Sequence, residues 1–87
     1  MARKLYELGS VIESEARKDA RNGKGKWYVY AKPYVEALQS LESVNDNYYA
    51  DSGRSVVAYA LANLGSWRGD VAKQVKAELK LHLDGKA

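Results

Sequence analysis

The sequence predicts an all-α domain, a compact bundle of about four helices over residues 1–87, with room for one short extended segment near 27–31. Three observations lead there. Apolar residues recur at three- and four-residue spacing along most of the chain, the period of a helix with one buried face. Glycines and Asn-Gly punctuate that pattern at intervals that leave only short connections. The one β-prone stretch, Trp27-Tyr28-Val29-Tyr30, is too short to build a sheet.

The first helix is expected over residues 3–22. Leu5, Leu8, Ile12, Ala16 and Ala20 fall on one stripe, opposite Arg3, Arg17 and Arg21. Asn22-Gly23 stops it, because glycine adopts the left-handed conformation that follows a helix. Gly9, at the edge of the stripe, costs about 1 kcal/mol against alanine, and close packing would explain it. Pro33 fits the first turn of the second helix and biases Lys32 towards an extended backbone. Val35, Leu38 and Leu41 carry that helix to about Ser43, and residues 44–47 read as a loop. Asp51 or Ser52 caps a third helix running to about Leu64, with Val56, Val57, Ala60, Leu61 and Leu64 inward. Ala58 and Ala62 keep its other side small, which suits a central helix packed on several sides. Gly65 ends it, Ser66 caps a last helix from about Trp67 to Leu83, and Gly85 terminates that one.

The 87 residues fit one domain, which buries only about 60% of the surface its unfolded chain exposes. There is no cysteine, so neither disulfides nor a cysteine-ligated zinc supports the core. One histidine, His82, is too few for a histidine metal site and is expected to be packed or half-exposed on its helix face. No nucleophile elbow or convincing base stands near a serine, so the expectation is a non-enzyme with no cofactor and no metal. No apolar run approaches the ~20 residues of a membrane span, and the N-terminus has no signal-peptide core. A soluble, cytoplasmic protein is expected.

The net charge of +3 is uneven. Residues 1–26 carry seven Lys/Arg and four Asp/Glu, residues 27–50 one and three, and residues 51–87 six and four. Six of the nine aromatic residues lie in the middle segment. At its start, Lys24-Gly25-Lys26-Trp27-Tyr28-Val29-Tyr30 sets cations beside stackable rings, as single-stranded nucleic acid requires. It is not a Walker loop, since Trp27 replaces the hydroxyl residue and a helix precedes it. It matches the RNA-recognition signature only in its Lys-Gly start and an aromatic-Val pair. The competing reading makes Trp27 and Tyr30 core anchors in a chain without phenylalanine.

The last two helices resemble a helix-turn-helix, with Lys73, Lys76 and Lys80 as a basic stripe on the second. Trp67 and Gly69 are poor base readers at its start, and Asp70 opposes phosphate, so the stripe also fits a solvated face. Arg68 falls on the apolar side of that helix. It either clamps a carboxylate of another helix or, beside an exposed Trp67, faces a partner. Glu13 and Arg17 read as an ordinary pair on a helix surface.

Tyr59-Ala60-Leu61-Ala62-Asn63-Leu64-Gly65-Ser66-Trp67-Arg68-Gly69-Asp70, followed by Ala72-Lys73-Gln74-Val75-Lys76-Ala77-Glu78-Leu79-Lys80, resembles the C-terminal portion of small proteins encoded by tailed bacteriophages. Those carry a similar Asn-x-x-x-Trp-Arg-Gly-acid element before a Lys-x-Glu-Leu helix. The resemblance implies a viral origin and no assigned activity. Small non-catalytic phage proteins often bind and block a host macromolecular machine, and defence-system inhibitors, anti-CRISPR proteins among them, are one such class. A DNA mimic would be strongly acidic, whereas the pI here is about 9.2, so docking on protein is the expectation. The expected partner is a host or viral protein, met through Trp27, Tyr28, Tyr30, Trp67 and Arg68 in the cytoplasm of an infected bacterium. The alternative is a nucleic-acid-binding module using Lys24 and Lys26 or the Lys73/Lys76/Lys80 stripe. A spare apolar face leaves homodimerisation open.

Overall fold

The chain enters its first helix from an extended Lys4, whose backbone N–H donates to the Glu7 carboxylate at 3.0 Å. This reach-back satisfies a donor beside the helix start and places an acid near its positive end. In the computed structural model, which describes residues 2–87, α1 runs Leu5–Arg21 and buries Leu5, Leu8, Ile12 and Ala16. Gly23 follows with φ +73, as the Asn-Gly stop requires. Gly9 is where α1 meets the next helix. A Cβ there would lie 2.9 Å from Gln39 Cγ and 3.2 Å from the Val35 carbonyl oxygen, and Gln39 Nε2 donates to the Gly9 carbonyl at 3.3 Å.

The segment expected to be extended is helical. Residues Gly25–Trp27 form one 3₁₀ turn and α2 runs directly on from it, Tyr28–Leu38. Among the described residues no strand lies alongside to accept a β ladder, whereas a helix satisfies its own N–H groups and lets Ala31, Val35 and Leu38 face inward. Pro33 therefore sits inside α2 instead of in its first turn, and Lys32 is helical. The donor that Pro33 lacks leaves the Val29 carbonyl without its intrahelical partner, on a side where Val29 and Pro33 are exposed to water.

The extended structure lies twenty residues further on. β1 (Asn47–Tyr48) pairs antiparallel with β2 (Asp51–Ser52), in register Asn47 with Ser52 and Tyr48 with Asp51. Tyr49, at φ 55, makes the turn. Ser52 then caps α3 (Gly53–Ala62), its Oγ accepting from the Ser55 N–H at 3.1 Å. Gly53 is required by contact: a Cβ there would lie 2.7 and 2.8 Å from the carbonyl oxygens of Asp46 and Ser43.

The last helix, α4 (Asp70–Leu83), starts three residues later than the Ser66 cap implies. Trp67 turns into the core and Gly69, at φ +111, reverses the chain into the helix. Each helix packs on its neighbour in sequence, and α4 closes onto α1. The closure is clamped by Arg3. Its backbone N–H and Nε donate to Glu78 Oε1 at 2.9 and 3.1 Å, and its terminal nitrogen meets Oε2 at 2.7 Å. His82 is buried beneath and its Nε2 lies 2.7 Å from the Arg3 carbonyl oxygen, which the ring meets as a donor. An arginine clamp between elements thus exists, but Arg3 makes it. Arg68 precedes α4, so it never joins that helix's apolar face; it is exposed and has no carboxylate partner among the described residues.

Candidate binding surface

Two of the residues expected at an interface form the floor of the fold. Trp27 is 8% exposed and Trp67 2%, and their rings stack at 4.7 Å with planes 12° apart. The Trp27 indole N–H donates to Asp19 Oδ2 at 2.9 Å, so its polar edge is satisfied inside the protein. These rings hold the 24–30 segment to the 63–69 connection and are closed to a partner's face. Tyr28 is half-buried on the opposite side of α2, among Glu13, Arg17, Lys32 and Glu36. Burial, reinforced by the negative charge of Glu13 and Glu36, pushes its phenol up from the usual value. Its hydroxyl makes no hydrogen bond among the described residues.

Tyr30 is 74% exposed, which excludes the core-anchor reading for it. With Lys24, Lys26 and the edge of Trp27 it lines an open groove of about 560 Å³, closed across the way by Ala62, Asn63, Gly65 and Ser66. No carboxylate lines this groove, and neither lysine makes an ion pair among the described residues. Four of the ten residues singled out from the sequence therefore do meet in one place.

Tyr30 and Ala62, which line the groove, belong to α2 and α3, and the outer side of these helices adjoins it. Tyr34, one helical turn beyond Tyr30, stacks on Tyr59 with ring centroids 5.5 Å apart. Tyr59 is 53% exposed, and Ala58 and Ala62 beside it are exposed too. The small side of α3 is thus an open face, where the sequence suggested packing on several sides. In α3 only Arg54, one turn before Ala58, is charged, and its guanidinium donates to the Leu83 carbonyl; residues 55–66 contain no charged side chain, which leaves the face uncharged from Ala58 onward. That run of twelve was the available signal for Tyr59, and its meaning is ambiguous until the packing of α3 leaves Ala58, Tyr59 and Ala62 uncovered.

The α4 lysines do not act as a stripe. Lys76 folds back so that its Nζ donates to the Trp67 carbonyl at 2.6 Å, and burial, with Arg68 nearby, pulls its ammonium below the usual lysine range. Lys73 and Lys80 remain exposed, about 10.5 Å apart along the axis at 1.5 Å per residue. Residues 63–69 separate α3 from α4, about twice the three or four residues of a helix-turn-helix turn. With Trp67 buried and Asp70 at its start, α4 has no reading head of the kind that motif presents to the major groove.

Among the described residues no three His, Asp or Glu side chains come together as metal ligands, and no helix is long and apolar enough to cross a membrane. No family model matches the chain, and neither does any curated protein or solved structure.

Proposed function

We propose that this is a small, non-catalytic interaction protein, phage-encoded, that docks on a protein of a host or viral machine through the outer face of α2 and α3. One observation carries the reading: Tyr59 stands exposed beside the half-buried Tyr34 on a surface that carries no charge along α3 beyond Arg54. Tyrosine gives a large contact area with little side-chain entropy to lose, and interface centres are enriched in aromatic residues and depleted of charge. A solvated helix face normally carries the opposite composition. The viral resemblance of residues 59–80 supports the role of a host-directed inhibitor, and the net charge of +3 favours docking on protein over imitation of DNA.

The test is photo-cross-linking with p-benzoylphenylalanine at position 59 and, separately, at position 80 on α4. The reading expects one defined adduct with a bacterial protein from position 59 and none from position 80. Equal labelling from both positions, or a product containing only this chain, overturns it.

A further inference from the structure

The groove at the end of the tyrosine face has a chemistry of its own, independent of whatever covers Tyr59. We infer that it is a binding site for single-stranded nucleic acid, with one or two nucleotides seated between the 24–30 segment and the start of the 63–69 connection. Three features select this ligand. Lys24 and Lys26 supply two exposed cations without ion-pair partners among the described residues, and no acid lines the groove to oppose a phosphate. Tyr30 offers a ring 74% exposed beside them, and base–aromatic stacking needs only a free ring face. Asn63 has its amide nitrogen committed to the Tyr59 carbonyl at 2.8 Å, which leaves Oδ1 as a fixed acceptor for a base N–H.

The site is rigid where it must be. Trp27 forms part of its floor and is pinned by Asp19 and by the stack on Trp67, so the lysines and Tyr30 project from a fixed turn. Its volume, about 560 Å³, lies within the 300–1,000 Å³ of small-ligand sites. Duplex DNA fits poorly, because two cations within one turn cannot follow a double row of phosphates, and paired bases offer Tyr30 no face. An acidic peptide would satisfy the lysines and leave Tyr30 without a role.

Fluorescence anisotropy of the whole protein with a labelled fifteen-residue oligothymidylate tests this. Two phosphate contacts at a slope of about −0.7 each weaken binding about sevenfold between 50 and 200 mM salt. Lys24→Ala with Lys26→Ala should flatten that dependence. Tyr30→Ala should weaken binding about tenfold at both salts and leave the slope and the melting temperature unchanged. The inference is overturned by no binding at 50 mM salt, by tighter binding of the corresponding duplex, or by equal displacement with polyglutamate. It is also overturned if the salt dependence disappears in Lys73→Ala/Lys80→Ala instead. None of these results bears on cross-linking from position 59, so the two readings fail separately.

Discussion

Trp67→Ala should unfold the domain or bring it close to unfolding. Trp67 is 2% exposed, and its ring lies flat on Trp27 at a centroid distance of 4.7 Å. Truncating a buried tryptophan costs about 3–5 kcal/mol, because the surrounding side chains refill only part of the space. Loss of the aromatic pair contributes about 0.5–1.5 kcal/mol beyond area burial, already included in such measured totals. The whole domain has roughly 4–13 kcal/mol to lose, at 0.05–0.15 kcal/mol per residue. At about 4–8 °C per kcal/mol for a chain of this size, the melting midpoint falls by at least ~12 °C. Circular dichroism at 222 nm during thermal and urea unfolding measures the loss, with Trp67→Phe as the variant that keeps a ring in place. A Trp67→Ala protein that melts within a few degrees of the parent would contradict the burial of this ring. Trp67 would then stand outside the core, and the boundary drawn between core tryptophans and surface tyrosines would fall.

Three further outcomes follow from particular contacts. Gly9→Ala gains helix propensity but drives a methyl to 2.9 Å from Gln39 Cγ and 3.2 Å from the Val35 carbonyl oxygen, so a net loss of about 1 kcal/mol is expected in urea unfolding. Pro33→Ala restores the hydrogen bond to the Val29 carbonyl inside α2 and should stabilise the domain by ~1 kcal/mol or more, read as a higher melting temperature. The Arg3 hydrogen bonds hold the Glu78 carboxyl below its ordinary value of 4.5. A depressed carboxylate stabilises the fold fully above that value and progressively less as pH falls through the folded-state pKa. The stability gap between the parent and Glu78→Gln should therefore be constant near neutrality and narrow below pH 4.5, in urea titrations across that range.

Much of the fold was legible because its signals are local. The Ser52 cap, the left-handed glycines at 23 and 85, and the inward stripe of α1 each follow from residues within a turn or two of one another. The misreadings are places where distant contacts decide. Trp27–Ala31 has β-prone residues, yet Asp19 and Trp67 anchor Trp27 and among the described residues no strand runs beside it, so the backbone is helical. Ser66 is a good cap in sequence, but burying Trp67 and turning at Gly69 moves the start of α4 past it. The hairpin at 47–52 turns on a left-handed Tyr49, which no turn-forming composition announces. At the candidate site the interleaved lysines and rings of 24–30 were visible in sequence, whereas which ring faces out was not. Trp27 goes in and Tyr30 goes out because α2 begins at Tyr28, a boundary set by packing.

On these proposals Tyr59 meets the protein partner and Tyr30 the nucleotide, while the tryptophans support both from within. Nitration of tyrosines separates the roles when mapped by mass spectrometry on the parent protein alone, with oligothymidylate bound, and in complex with the partner that cross-linking identifies. In the free protein Tyr30, Tyr49 and Tyr59 should be modified readily and Tyr28 slowly, its hydroxyl being buried. The protein partner should protect Tyr59 and oligothymidylate should protect Tyr30, while Tyr49, out on the hairpin, stays reactive in both. Unchanged reactivity of Tyr59 in the protein complex, or of Tyr30 with oligothymidylate bound, would overturn the corresponding proposal.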